Sequence, residues 1–490
     1  MTVDPRTPVL VGYGQINHHD TDPVEPVDLM VAAARRAGSA AVLEAVDTIR
    51  IVNLLSAQYR DPGLLLGQRL GLEAVRTGYT GLGGNTPQTL LNRTCHDIQH
   101  GNAEVVLLAG GETWRTRTRL RAAGGRLTWT HQDDTVAVAE CSDENVPMAG
   151  PAEERIRLDR PAYVYPLFEQ ALRSAAGVAI DEHRRNLGAL WARFSAVAAD
   201  NPHAWIREPV AAEQIWRPDT GNRMISWPYT KLMNSNNMVD QAAALILTSV
   251  QTATRLRIPR EQWVFPYTGT DAHDTYAISE RAELHRSPAI RIGAARALQL
   301  AGVGVDDVDY VDLYSCFPSA VQVAAAEIGL AVDDPARPLT VTGGLTFAGG
   351  PWNNYVMHAI ATMAERLVAH PGSRGLVTAN GGYLTKHSFG VYGTEPPPSR
   401  FVWEDVQPAV DAEETCTAAV HWEGAGTVEA WTVPFDRNGS PAKAFLAVRT
   451  PDRRRTLAWI SDPAAAAETV DTDIAGAAVT VHADGTATLA

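Results

Sequence analysis

The sequence predicts an α/β protein built by duplication, with a large insertion in its first half and a small antiparallel, OB-like β-barrel at its C-terminal end. Three observations predict it. Short apolar runs alternate with amphipathic helical segments, the pattern of a mostly parallel sheet covered by helices. Residues 101–111 (GNAEVVLLAGG) and 372–382 (GSRGLVTANGG) carry matching glycines at a constant offset of 271, each strand preceded by a Gly-Gly turn and a helix. Beyond Pro396-Pro397-Pro398-Ser399, a stiff linker, the pattern changes to short alternating strands divided by turns such as Asn438-Gly439 and Asp484-Gly485.

The elements follow in order. Pro8 to Gly12 reads as a buried strand ended by glycine, and Pro26 to Ala37 as a helix with Leu29, Ala32, Ala33 and Arg36 at helical spacing. Thr48 to Leu55 is strand-like. Thr86 to Gly101 reads as a helix, and Glu104 to Ala109 as a buried strand stopped by Gly110-Gly111. The second half repeats the plan: helix Ile290 to Ala301, strand Val308 to Leu313, helix Asn353 to Ala369 and strand Gly375 to Ala379. Residues 112–225 break the pattern with Arg, Trp and Pro and read as an insertion over the sheet. The C-terminal strands are placed at Thr417–Trp422, Thr427–Phe435, Ala444–Thr450, Thr456–Ile460 and Ala478–His482. The expected domains are a first half at 1–111 and 226–270, the insertion at 112–225, a second half at 271–395 and the barrel at 400–490.

Composition narrows the function. The 490 residues include 45% hydrophobic and 20% charged side chains, which suits a globular chain rather than a disordered one. The 42 basic and 56 acidic residues leave a net charge of −14, which argues against nucleic acid as a partner. The four cysteines form no C-x-x-C pair, and their scarcity suits a reducing compartment. The N-terminus lacks a signal-peptide pattern and no apolar run approaches 18 residues, so the expected location is the cytoplasm, off the membrane.

Four segments carry a resemblance. Asn234 to Ala244 (NSNNMVDQAAA) is similar to the NSSGINDGAAA segment of thiolases. Asp312 to Phe317 (DLYSCF) resembles the ELHDCF segment of sterol-carrier-protein thiolases. Gly343-Gly344 followed by Gly349-Gly350-Pro351 resembles the loop ending in GHP, and Gly375 to Gly382 resembles the strand leading to the C-x-G loop. Together, in order over residues 1–395, they resemble the thiolase superfamily. The extra C-terminal domain is similar to that of the thiolase-like protein type 1 group. The resemblance implies a five-layer αβαβα thiolase fold, with 112–225 as the loop domain that holds coenzyme A. It also implies acyltransferase chemistry on acyl-CoA, with the thioester as substrate or ligand and no resident cofactor. The implied assembly is a monomer or homodimer.

The resemblance also locates what is missing. A thiolase holds a thiolate at a helix N-terminus, where the dipole and N–H groups favour the anion. Counting back 17 residues from Gly101 places that position at Gly84. Cys95 lies 11 residues further along the helix, about 16 Å away, and reads as a buried helix cysteine. The family histidine position is Gly350, the late cysteine falls at or beside Ala379-Asn380, and Tyr314 stands at the first oxyanion-hole position. Glycine and alanine have no group to attack a thioester or move a proton, so cysteine-dependent thiolase activity is predicted absent.

Tyr314, Asn380, Lys386 and His387 are expected on loops converging at the sheet's mouth. Tyr314 reads either as an acid–base group, Asn380 as an oxyanion donor and His387 as a general acid or base, or all three as structural residues. Cys316 reads as structural, and Asn234 and Asp240 as fixing loop geometry. Arg115, Arg117 and Arg119, with Arg121 and Arg126 nearby, read either as contacts for coenzyme A phosphates or as a solvated segment. Gly12-x-Gly14 is an incomplete dinucleotide fingerprint, and His18-His19-Asp20 lacks a partner metal motif, so no metal is expected. Three functions stay open: an acyl-CoA-binding protein without the cysteine mechanism, an aldol lyase on acyl-CoA substrates using Tyr314, and a non-enzymatic interaction module.

Overall fold

The structure, a computed structural model, describes residues 3–141 and 145–490. Two five-stranded sheets carry the duplicated halves. The first runs Pro8–Asn17, Asp240–Ser249, Val105–Thr113, Thr48–Ile51, Arg76–Tyr79. The second runs Val402–Asp405, Phe265–His273, Lys386–Gly393, Arg374–Gly381, Tyr310–Asp312. Four strands of one sheet match four of the other in order and direction, and Val105–Thr113 matches Arg374–Gly381, the pair that the glycine repeat relates.

Both sheets are mixed rather than mostly parallel. Asp240–Ser249 is antiparallel to both its neighbours, and so is Lys386–Gly393. The reason is local for Lys386–Gly393. Only Gly382 to Thr385 separate it from Arg374–Gly381, too short for the crossover that a parallel neighbour needs. The first-half strands also run past their glycines. Pro8–Asn17 continues beyond Gly12, and Val105–Thr113 passes through Gly110 and Gly111. Those two glycines serve close approach instead of a turn: a Cβ on Gly111 would lie 2.8 Å from that of Ala242 on the paired strand, and one on Gly110 would overlap Asn354.

The helices complete five layers. Pro26–Ala37 and Pro62–Leu70 cover the outer face of the first sheet, and Pro288–Ala301 covers that of the second. Thr86–His100 and Tyr355–Ala369 lie between the sheets, touching strands of both and each other. Thr86–His100 begins with Pro87 in its first turn and ends at Gly101, whose φ of 77° suits the left-handed helix terminus. This middle layer is the heart of one continuous apolar core.

Between the first sheet's third and second strands comes the insertion, dominated by the helices Pro161–Ala176 and Ile180–Asp200. The C-terminal strands form an antiparallel sheet in the order Arg455–Ile460, Ala444–Arg449, Gly424–Pro434, Ala478–Val481, Ala487–Leu489. A single bridge between Trp459 and Thr486 draws its two ends together. Thr417–Trp422, expected as a strand, makes one bridge among the described residues, Ala418 to Arg455. This sheet has its own apolar cluster, in which Trp227 from the body stacks on Trp431 at 5.2 Å.

Candidate functional site

Four segments meet at the N-terminal end of the Thr86–His100 helix. Gly83 N donates to Asn353 Oδ1 at 3.1 Å, which ties the helix approach to the segment after Gly350. Asn237 Nδ2 donates to the Gly350 carbonyl at 2.7 Å, which brings in the 234–239 segment. Lys386 Nζ donates to the Leu82 carbonyl at 2.5 Å, which closes the side formed by the second half. Convergence of this kind at strand ends is where α/β proteins place their chemistry.

The position predicted for the nucleophile has no room for a side chain. A Cβ added to Gly84 would lie 2.9 Å from Tyr314 Cζ and 2.5 Å from the Asn380 carbonyl oxygen, and would overlap the Tyr314 hydroxyl. Tyr314 thus fills the space in front of the helix N-terminus. Burial, with Cys316 beside it, pushes its phenol well above the ordinary value of 10.0. Its backbone N donates to Thr378 Oγ1 at 2.9 Å.

Asn380 and His387 are not on loops. They face each other as a cross-strand pair at the end of the Arg374–Gly381 and Lys386–Gly393 hairpin. The side chains of Tyr314, Asn380 and His387 line one cavity with Thr378, Leu384 and Phe389. Its volume is about 10 Å³, which is near the lower limit for a single water. Asn380 Nδ2 donates to Tyr165 Oη at 2.9 Å, while its Oδ1 is buried without a partner among the described residues. His387 Nε2 lies 3.5 Å from Asp274 Oδ2, with both side chains buried. His387 and Arg281 hold the Asp274 carboxyl below its ordinary range despite its burial, and Ser287 Oγ donates to it at 2.5 Å. Cys316 sits behind this group, its thiol pushed up to about 12 by burial.

Tyr165 and Asp274 did not stand out in the sequence. Tyr165 comes from the insertion, donates to the Gly382 carbonyl at 3.1 Å and accepts from Leu384 N at 2.9 Å, so it fixes the hairpin turn. Nothing in its local sequence marks it. Asp274 carried a faint signal: it directly follows the strand Phe265–His273, at the end where such sites form. A second buried acid, Asp312, accepts from Thr340 Oγ1, Val341 N and Tyr355 Oη, and so anchors the Gly343-Gly344 loop.

The other expected residues are placed as follows. Arg115 donates to the His19 and Asp20 carbonyls, each at 3.0 Å, and lies over Trp205. Arg117 donates to the Leu55 carbonyl at 2.6 Å and lies 4.8 Å over Trp114. Arg119 is exposed and lines an open cavity of about 460 Å³ with Thr21, Pro23 and Leu120. Asp240 accepts from Thr116 N and Oγ1, at 3.0 and 2.8 Å, and Asn234 Nδ2 donates to the Thr230 carbonyl, so both bind local backbone or its neighbour. His18 meets the Asp22 carbonyl and His19 stacks on Trp205. Among the described residues no group of three or more His, Cys, Asp or Glu could hold a metal ion.

Comparison with known proteins decides the family. Over its whole length the chain is 31% identical to a monomeric SCP2-thiolase-like protein type 1 from Mycobacterium smegmatis, with all of both chains covered and a TM-score of 0.85. The chain belongs to that thiolase-like family. Two family profiles agree: the thiolase C-terminal domain-like family over residues 270–394, and the thiolase-like protein type 1 additional C-terminal domain over 405–486. The thiolase fold itself extends to more distant structures. An Ltp2-ChsH2(DUF35) aldolase matches at 18% identity and TM-score 0.60, covering 80% of this chain and 99% of that one. The dimeric peroxisomal thiolase of Saccharomyces cerevisiae matches at 13% and 0.57, with the same coverage. The thiolase-like chain is therefore a five-layer αβαβα thiolase fold with an appended antiparallel domain.

Proposed function

We propose that this thiolase-like protein binds acyl-CoA thioesters without running the cysteine mechanism. The observation that carries the second half of that statement is the Tyr314 ring lodged where a Gly84 side chain would stand. A thiolate cannot be presented there, and Gly350 offers no imidazole opposite it. The cavity beyond Tyr314 is far too small for an acyl group, so a thioester lies outside it. Support for binding comes from the mouth. Leu82 and Met148, which flank Lys386 and Gly382, are exposed apolar side chains, as is Met238 beside Asn237. An acyl or pantetheine chain would cover them. Of the three arginines, Arg119 is the most exposed and, though it donates to the Thr21 carbonyl at 3.3 Å, is the one placed to meet a coenzyme A phosphate from solvent, while Arg115 and Arg117 shape the segment around it. The proposed assembly is a monomer: the edge strand Arg76–Tyr79 is met at its end by its own chain, where Tyr79 N donates to the Glu140 carbonyl at 3.2 Å.

The test is calorimetric titration with coenzyme A, acetyl-CoA and a long-chain acyl-CoA, with mass spectrometry for an acyl-enzyme. Saturable binding without acylation is the expected result. No binding by folded protein overturns the binding claim, and a trapped acyl-cysteine overturns the mechanistic one.

A second reading, aldol cleavage of acyl-CoA substrates, draws on the grouping of Tyr314, Asn380 and His387 around one cavity. The aldolase named above has the same fold. Tyr314→Phe separates the readings: cleavage lost with binding retained supports the lyase, and no cleavage by the unaltered protein dismisses it.

A further inference from the structure

A second cavity, of about 230 Å³, lies between the insertion helix Ile180–Asp200 and the segment 332–340 of the second half. Its walls are apolar: Leu190, Phe194 and Val197 on the helix, and Val332, Pro338 and Leu339 opposite. Val332 is 37% exposed, unusual for a large apolar side chain in this protein. Two guanidinium groups, of Arg193 and Arg337, border the cavity. Arg193 Nη2 is held by the Val332 carbonyl. Arg337 donates through Nη2 to the Val308 carbonyl at 2.7 Å, and its Nε is buried with no partner among the described residues. One acid, Asp334, shares the lining, and its Oδ1 accepts from Ala336 N at 2.8 Å. An apolar slot with a few charged groups at its border is the usual form of a small-ligand site. A carboxylate is the head group that two guanidinium groups select.

We propose that this cavity binds a medium-chain aliphatic carboxylate, its chain against Phe194, Val197 and Leu339 and its head between Arg193 and Arg337. The site is separate from the acyl-CoA surface at the mouth. It is nevertheless joined to the Tyr314 segment: Leu313 N donates to the Leu339 carbonyl at 2.9 Å, and Phe194 abuts Gly344, which also meets Ser315 Oγ.

Trp191 supplies the readout, because its buried ring stacks on Phe194 at 5.1 Å. Titration of the full chain with octanoate is expected to change tryptophan emission saturably, and Trp191→Phe to remove that change. Ala196 is an exposed residue of the lining, so Ala196→Trp fills the slot without disturbing the core, and is expected to weaken octanoate binding at least tenfold. Arg193→Gln is expected to weaken octanoate about tenfold and leave 1-octanol unchanged. Arg337 holds the Val305 and Val308 carbonyls and faces Asp306, whereas Arg193 holds the Val332 carbonyl alone, so Arg193 is the safer position for the charge test. No saturable octanoate binding by fluorescence or calorimetry overturns the proposal. So does equal affinity in Ala196→Trp, which would place the ligand elsewhere, and so does equal loss of octanoate and octanol in Arg193→Gln, which would deny a carboxylate contact.

Discussion

The Tyr314 hydroxyl occupies the volume that a side chain on Gly84 would need. The two residues are therefore coupled, and their substitutions should not add. Gly84→Ala forces its methyl onto Tyr314 and the Asn380 carbonyl, an overpacking cost of about 1–3 kcal/mol. Tyr314→Ala removes a large buried ring and is expected to cost about 3–5 kcal/mol. In the double variant the methyl relieves part of the cavity, so the summed cost should exceed the measured one by about 1 kcal/mol or more. Urea denaturation of the four proteins measures this, and simple additivity would mean that Tyr314 does not fill the Gly84 position.

Tyr314 belongs to a set of buried phenols. Burial raises Tyr165, Tyr229, Tyr355 and Tyr392 well above the ordinary tyrosine value, as it does Tyr314. Their folded-state values lie above the unfolded ones, so the stability they contribute is intact below pH 10 and is lost as pH rises beyond it. The prediction is a steep alkaline limb. Difference absorbance at 295 nm should show these phenols titrating only together with loss of near-UV circular dichroism. Smooth titration of all the tyrosines near pH 10 in folded protein would contradict it. The same property bears on the lyase reading, because a phenol raised this far is a proton donor and not a base at neutral pH.

Much of this was legible in the sequence, and the illegible parts have physical reasons. The glycine repeat at 101–111 and 372–382 found the duplication because Gly101 and Gly372 both turn the chain, at φ of 77° and 91°, into corresponding strands. It misread Gly110-Gly111 as a stop, because glycine serves close approach as well as turns and a single sequence does not separate the two uses. Gly84 and Tyr314 were each found by position, but their mutual contact crosses between the halves and has no local signature. Asp274 and Tyr165 act through tertiary contacts with His387 and Asn380, and periodicity carries no trace of such partners.

Two buried groups give opposite pH dependences. Burial, with His203 nearby, lowers His358 from 6.5 to about 3, and Glu112 is raised from 4.5 to about 7 by burial against the hydrogen bonds of Leu55 N and Ser56 N. For His358 the unfolded chain binds the extra proton, so its contribution is present above pH 6.5 and is lost as pH falls toward 3, on the order of 5 kcal/mol in all. For Glu112 the folded state binds it, so the contribution is present below pH 4.5 and is lost as pH rises toward 7, on the order of 3 kcal/mol. Urea midpoints from pH 4 to 8 should therefore change slope in opposite senses in His358→Gln and Glu112→Gln. Parallel profiles in the two variants would refute the assignment.

Beside the Trp227–Trp431 stack and the pairing of Val433 with Trp227, a fully buried guanidinium ties the C-terminal sheet to the body. Arg455 donates from Nε and Nη2 to the two oxygens of Glu429, at 2.7 and 2.8 Å, and from Nη1 to the Ile278, Ser279 and Arg281 carbonyls of the second half. The arginine's fork holds the Glu429 carboxyl below its ordinary range despite burial. Arg449 also reaches Glu429, at 2.9 Å, but from a partly exposed side chain. Arg455→Ala strands a buried carboxylate and three carbonyls, so a loss of about 3–5 kcal/mol is expected. Arg455→Lys should recover only part of it, because an ammonium cannot make the paired contact. Arg449→Ala should cost less, about 1–2 kcal/mol, because its side chain is partly exposed and Arg455 still pairs Glu429. Limited proteolysis reads the same hierarchy locally: cleavage between residues 411 and 423, which join the body to the C-terminal sheet, should accelerate more in the Arg455 variants than in Arg449→Ala. Equal effects at the two arginines would show that Arg449, with its contacts to Glu429 and the Ala282 carbonyl, holds the domain as firmly as the buried fork.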